Sequence, residues 1–375
     1  KFMIKKQEIY LDYNATAPIL PEVIEVMVEV MNQSGNPSSV HSRGRKAKSR
    51  MEKARSIIAD NINCRAQMVV FTSGGTEANN MAILGSECNR LITSNAEHDS
   101  IRSIASSFEG TVDIIPVNSD GLINLLELEK LLNENDEKSI ISILYANNET
   151  GVLQDIKAIA KIARSAGALL HIDAIQALSK VPIDFMLLGV DMMSISSHKI
   201  GGPQGVGALI VQEKFPIKSF IFGGGQEIGR RGGTENIAGI VGFGRAVSMI
   251  KKSLKKMKIL EIWRNEIEEK IHKHAPQASF PGNSSPRLSN VSTIYMPGVK
   301  SETQVMNFDL DQICISSGSA CSSGKVKSSH VIDAMKGDKN IATSTIRMSL
   351  GWNSEYAHAK AFVKSWKKQY DRKNS

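Results

Sequence analysis

Between residues 68 and 212 short apolar, β-rich runs alternate with helical patterns, and this alternation restricts the possible folds more than any other feature of the chain. The strand candidates are residues 68–72, 90–93, 112–116, 139–145, 168–172, 191–195 and 207–211. Such a pattern reads as α/β, a mainly parallel sheet covered by helices on both faces. In sheets of this kind functional groups gather in the loops beyond the carboxyl ends of the strands. Several candidate strands do end in chemically capable residues: Ser73-Gly74-Gly75-Thr76, Glu97-His98, Asn147-Asn148-Glu149, Asp173, and the loop from Ser196 to Lys199.

The glycine-rich residues 223–227 precede a helical stretch from about residue 236 to 273, long enough to connect two domains. Strand-like residues 290–295 and 346–350 then predict a smaller α+β domain, joined by the first dozen residues. The expected division is 13–257 for the large domain, and 1–12 with 258–375 for the small one. A chain of 375 residues that is 41% hydrophobic has the material for both cores.

No apolar run reaches the length of a membrane-spanning helix, and the first residues lack the long apolar segment of a secretory leader. The four cysteines, Cys64, Cys88, Cys314 and Cys321, show neither a CxxC pair nor metal-ligand spacing. Free thiols in a reducing compartment are therefore expected, with no metal site and a cytoplasmic location. The net charge of +8 is concentrated in clusters at 43–55, 251–258 and 360–373. The first two clusters have no aromatic residues interleaved among their basic residues, while the third carries Phe362, Trp366 and Tyr370. Direct nucleic-acid binding is not expected, and solvated helix faces or an acidic protein partner account for the charge.

Four features carry chemistry. Residues 73–80 follow a strand and open a helix, so their glycines leave N–H groups for an anion; GxGxxG and the P-loop are both absent. Asp173 ends an apolar strand, where it either caps the next helix or pairs with a buried cation such as a pyridinium. Lys199 lies in a small-residue loop, where a neutral amine could form a Schiff base. Cys321 lies in a Ser/Gly tract too small to bury it, the setting of a reactive thiolate rather than an inert core thiol. Cys64, Cys88 and Cys314 are expected to be buried core thiols.

Taken together, the ordered segments 11–18 (LDYNATAP), 36–44 (NPSSVHSRG), 73–80 (SGGTEANN), 97–98 (EH), 147–151 (NNETG), 171–177 (HIDAIQA), 196–203 (SSHKIGGP), 223–227, 231–236 (RGGTEN), 316–321 (SSGSAC) and 344–351 (STIRMSLG) resemble cysteine desulfurases of the NifS/IscS type. These belong to the class V aminotransferase group of fold-type I pyridoxal phosphate enzymes. The resemblance implies a PLP-dependent transferase that takes L-cysteine to L-alanine and leaves the sulfur on Cys321 as a persulfide. By the same resemblance Lys199 would carry the cofactor as a Schiff base and move the Cα proton. Asp173 would pair with the pyridine nitrogen, Gln176 with the phenolic oxygen, and His98 would stack over the ring and share in proton transfer. Gly75, Thr76, Ser196 and His198 would hold the phosphate, joined by Thr234 from the other subunit of a homodimer. Arg347 would clamp the substrate carboxylate with help from Asn148, and Asn14 would also touch substrate. A mobile loop at about 316–330 would present Cys321 and deliver its sulfur to an acceptor protein, an iron–sulfur scaffold before a tRNA-thiolation relay.

Residues 324–327 (GKVK) stand where the resemblance expects an acidic, proline-containing stretch, Ile228 stands where arginine is frequent, and the sequence ends soon after Trp366. The first and the last bear on the acceptor rather than on the chemistry. A selenocysteine lyase would use nearly the same residues. An ordinary class V aminotransferase would not need Cys321, and a catalytically silent sulfur-transfer scaffold would not need the cofactor set.

Overall fold

The computed structural model describes residues 8–318 and 328–374. Seven strands form one sheet in the order Val69–Thr72, Gly207–Val211, Met192–Ser196, Leu169–Asp173, Ser139–Leu144, Arg90–Ser94, Thr111–Ile115. Gly207–Val211 runs antiparallel to both of its neighbours, and the other pairings are parallel. The sequence reading of a mainly parallel sheet and the sheet observed agree, with strand ends displaced by at most one residue.

Successive side chains on these strands enter two different cores. Val70, Leu91, Ile140, Met192 and Leu209 pack on Ala78, Met81 and Ala82 of the helix Gly75–Leu84. Val69, Phe71, Ile92, Ile141, Leu170, Ile172, Met193 and Ile195 face the opposite core. Because both faces are covered, the inner strands read as continuous apolar runs with no polar alternation. Thr111–Ile115, at the sheet edge, is the partly exposed exception.

A separate core gathers Leu11 with Met257, Leu260, Ile271, Ile294, Phe308, Ile346, Phe362 and Trp366. Here Phe308 stacks on Phe362 with ring centroids 4.9 Å apart, and Trp366 stacks on Tyr370 at 5.4 Å. Val291–Tyr295 pairs antiparallel with Thr345–Ser349, and Ile9–Tyr10 runs parallel to Ile313–Cys314. The first residues thus join the carboxyl-terminal part of the chain. From these separate cores we propose the two-domain division at 12/13 and 257/258. Two segments cross it: Leu288 with Val291, and Val331, Ile332, Met335 and Ala342, bury themselves in the first core.

The helical stretch expected from 236 to 273 is two helices, Ile237–Ser248 and Ile250–His274. Met249 interrupts them, its N–H bonded to Ala246 O in a tighter turn. The first helix buries Ile240, Phe243 and Val247 in the large core, whereas the second buries Met257, Leu260, Ile267 and Ile271 in the other. One straight helix could not serve both. No helix of the described residues is long and apolar enough to cross a membrane.

Candidate active site

Strand Val69–Thr72 leads to Gly74, whose φ of 157° and ψ of −176° belong to a region open in practice only to glycine. Gly75 then begins the helix Gly75–Leu84, which has no side-chain cap. A Cβ at Gly75 would lie 2.1 Å from Ile175 Cδ1, so any larger residue here would have to push the Ile175 side chain aside. An uncapped first turn offers N–H groups and the positive end of a helix dipole to an anion. Ser196, at the end of Met192–Ser196, adds a buried hydroxyl without a hydrogen-bond partner among the described residues.

Asp173 closes strand Leu169–Asp173 and is 1% exposed. Among the described residues its carboxylate takes neutral hydrogen bonds, from Asn79 Nδ2 at 2.8 Å and from the Ile175 N–H at 3.0 Å. Burial raises its pKa, against the lowering effects of Asn79, His98 and Lys199. Asn79 also donates to Ser100 Oγ at 2.9 Å, and Ser100 meets His98 Nδ1 through its hydroxyl at 2.9 Å and its N–H at 3.1 Å. The N–H can only donate, so His98 Nδ1 is the acceptor and the neutral ring carries its proton on Nε2. His98 is at the same time the N-cap of the helix Asp99–Ser107.

Lys199 ends a single 3₁₀ turn after Ser196, and its Nζ donates to the carbonyls of Asn14 and Ala15, each at 2.7 Å. Gln176 Nε2 donates to the same Asn14 carbonyl at 2.8 Å. His198 Nδ1 lies 3.1 Å from Thr16 Oγ1, and burial, with Lys199 and Lys180 adding, pushes the imidazole down to about 4. His198 is therefore neutral at physiological pH.

Arg347 comes from the smaller sheet and is 2% exposed. Its guanidinium donates to Asp12 Oδ1 at 2.8 Å and to the Asn148 carbonyl at 3.1 Å, while its Nε is buried without a partner among the described residues.

Eleven of the sequence-read residues, Asn14, Gly75, Thr76, His98, Asn148, Asp173, Gln176, Ser196, His198, Lys199 and Arg347, line one cavity of about 240 Å³. Thr234 does not: within this chain it is exposed and away from the cavity. Cys321 lies outside the described residues. The expectation for the other thiols needs correction, because only Cys88 is fully buried and Cys64 and Cys314 are partly exposed. Burial still pushes Cys64 up to about 12 and raises Cys314.

The structure adds groups that motif reading missed: Asn79 and Ser100, which join Asp173 to His98; Asp12, which holds Arg347; and Lys180, beneath Gln176. Ser100 had a signal, the His-x-Ser pattern of a capped helix start. Asp12 had none, because its partner is 335 positions away.

A buried carboxylate wanting a cation, an uncapped helix start and an orphaned buried hydroxyl thus border one cavity, with a lysine between two carbonyls beside them. A phosphorylated pyridinium aldehyde satisfies all of these at once, and the residues present fit pyridoxal phosphate.

The chain matches the family described as Aminotransferase class-V over residues 9–362. It is 37% identical over 357 residues to "Cysteine desulfurase IscS" of Dictyoglomus turgidum, covering 92% of this chain and 90% of that one. The solved structure of a NifS-like protein from Rickettsia africae, 37% identical, superposes with a TM-score of 0.91 over 97% of this chain and all (100%) of that chain. A structure described as SspA in complex with cysteine, 31% identical, gives 0.80 over 92% of this chain and 99% of the other.

Proposed function

The chain belongs to the class V aminotransferase family and, within it, to the NifS/IscS type of cysteine desulfurase, and on that footing we propose how its own residues take sulfur from L-cysteine. The single observation that carries the proposal is the meeting of Lys199, Asp173, Arg347 and the uncapped helix start in one cavity. Enzymes of this family depend on pyridoxal phosphate. Bound here, it would supply a carbonyl that condenses with an amine and an electron sink for the charge left at Cα when a proton departs.

Asp173 would keep the pyridine nitrogen protonated, and that cation would in turn relieve the burial that raises the carboxyl's pKa. Gly75, Thr76, Ser196 and neutral His198 would hold the phosphate, and Gln176 the phenolic oxygen. Arg347, with Asn148 and Asn14, would orient the substrate carboxylate through the guanidinium fork. Lys199 Nζ would take the proton from Cα and return it, with His98 Nε2 as a second donor. The Cys321 thiolate would then attack the substrate sulfur: the new S–S bond forms as the substrate C–S bond breaks, the C–S electron pair stays with the substrate carbon, which takes up a proton, and the products are a persulfide on Cys321 and alanine.

We further propose a homodimer in which Thr234 completes the partner's phosphate site. Its support is the exposed segment around it, where Phe222 is 85% exposed and the β-branched Ile228, 77% exposed, is held at φ 60°. A left-handed isoleucine is strained, and such strain persists only where surroundings impose it. We propose an iron–sulfur scaffold protein, ahead of a tRNA-thiolation relay, as the acceptor of the sulfur, and the cytoplasm as the location. The test is alanine release from L-cysteine by purified protein with bound cofactor and a reductant. Stoichiometric alanine and sulfide support the proposal; cofactor bound without alanine formation rejects it.

A further inference from the structure

Lys180 lies four residues after Gln176 and is 6% exposed, in the layer behind the cavity wall rather than on it. Its Nζ donates to Gln176 Oε1 at 2.5 Å and to Asn14 Oδ1 at 2.9 Å. Those two side chains are otherwise fixed by complementary contacts. Gln176 Nε2 donates to the Asn14 carbonyl, which also accepts from Lys199 Nζ, and Asn14 Nδ2 donates to the Asn148 carbonyl at 3.1 Å. Asn290 Nδ2 is the second donor to Asn14 Oδ1, at 3.2 Å.

We propose that Lys180 is a positioning residue that locks the amides of Gln176 and Asn14 with their oxygens turned inward, so that Gln176 can present only N–H to the cavity. This rests on the proposed role of Gln176 toward the cofactor's phenolic oxygen. The argument is one of donors and acceptors. A lysine nitrogen has at least two N–H groups whether it is charged or neutral, so it satisfies both amide oxygens in either state. That matters because burial, reinforced by Lys199 and Arg347, pulls its pKa well below the ordinary lysine value. With Oε1 held by Lys180 and one N–H held by the Asn14 carbonyl, Gln176 keeps one further N–H, and Gln176 lines the cavity. An amide free to turn would instead offer its oxygen to an oxyanion, which repels it. Long lysines are seldom fully buried, and this one has no carboxylate partner among its hydrogen bonds; two amides take that place.

The test is a double-mutant cycle on the holoenzyme with Lys180→Met, Gln176→Ala and the pair, reading the pH midpoint of the bound cofactor's absorption band and the cofactor dissociation constant. Lys180→Gln, which keeps an N–H donor, serves as the conservative variant and covers the case in which the methionine variant does not fold. The expected result is a midpoint shift of about one pH unit in Lys180→Met, the size of one lost hydrogen bond, with no further shift when Gln176 is already alanine and partial recovery in Lys180→Gln. An unmoved midpoint, or the same shift with and without Gln176, overturns the inference. A wild type without any cofactor band overturns the functional reading beneath it, so the two failures are distinct.

Discussion

Arg347 and Ser316 exchange both of their backbone hydrogen bonds, Arg347 N–H to Ser316 O at 2.7 Å and Ser316 N–H to Arg347 O at 3.2 Å. Their side chains are joined as well, because Asp12 accepts from the Arg347 guanidinium through Oδ1 and from Ser316 Oγ, at 2.6 Å, through Oδ2. The arginine assigned to the substrate carboxylate is therefore bound to the strand from which the Cys321 segment departs.

Asp12→Asn should raise KM for L-cysteine about tenfold to a hundredfold, the cost of one charge-assisted hydrogen bond to a guanidinium that is buried and loses its counter-charge. Cofactor binding should be unchanged, since Asp12 does not line the cavity. Steady-state kinetics with a cofactor titration checks both halves.

Glu97 is buried, accepts from Ser94 Oγ at 2.6 Å and the Leu144 N–H at 2.9 Å, and is pushed up to about 8 by burial, with Asp173 adding to the rise. Its folded pKa thus lies above the unfolded value. The favourable contribution is complete below the unfolded pKa near 4.5, falls as pH rises from there, and is gone above about 8. Glu97→Gln has nearly the same shape and no charge to bury. Denaturant unfolding at several pH values should show the variant gaining on the wild type between those limits and little difference in acid.

Glu227 forms a two-pronged pair with Arg55, both contacts at 2.8 Å, and accepts from the Phe71 N–H at 2.9 Å. Glu227→Gln leaves the buried guanidinium with only the partly exposed Glu52 as counter-charge and should cost about 3 kcal/mol of stability. The expected readout is a lower urea midpoint with an unchanged slope.

Much of this site is legible in the sequence because its groups sit where strands stop. Asp173, Ser196 and the Gly74-Gly75 turn each follow an apolar run, and a polar residue there has few structural reasons to exist. Lys180 and Asp12 are different: Lys180 meets Gln176 four positions away but Asn14 from a distant segment, and Asp12 meets Arg347 from the other end of the chain. The interruption at Met249 was equally hidden, since neither proline nor glycine marks it and the helical pattern runs through. Thr234 cannot be placed from one chain, because its proposed partner site belongs to another.

Phe222→Asp should split the proposed dimer, weakening it by about 2 kcal/mol or more, as loss of an aromatic anchor does. Cofactor affinity should fall with it, because the partner's phosphate site loses Thr234. Sedimentation velocity with and without cofactor distinguishes this from a dimer held elsewhere, for which the variant would sediment as the wild type does.

The central claim is that sulfur passes to Cys321, and intact-protein and peptide mass spectrometry after one turnover with L-cysteine tests it most directly. The account predicts an added sulfur atom on the Cys321 peptide together with one alanine per site, and neither product from Cys321→Ser despite a normal cofactor spectrum. Alanine formed at the wild-type rate by Cys321→Ser, or the added sulfur found on Cys64, Cys88 or Cys314 instead, would contradict it.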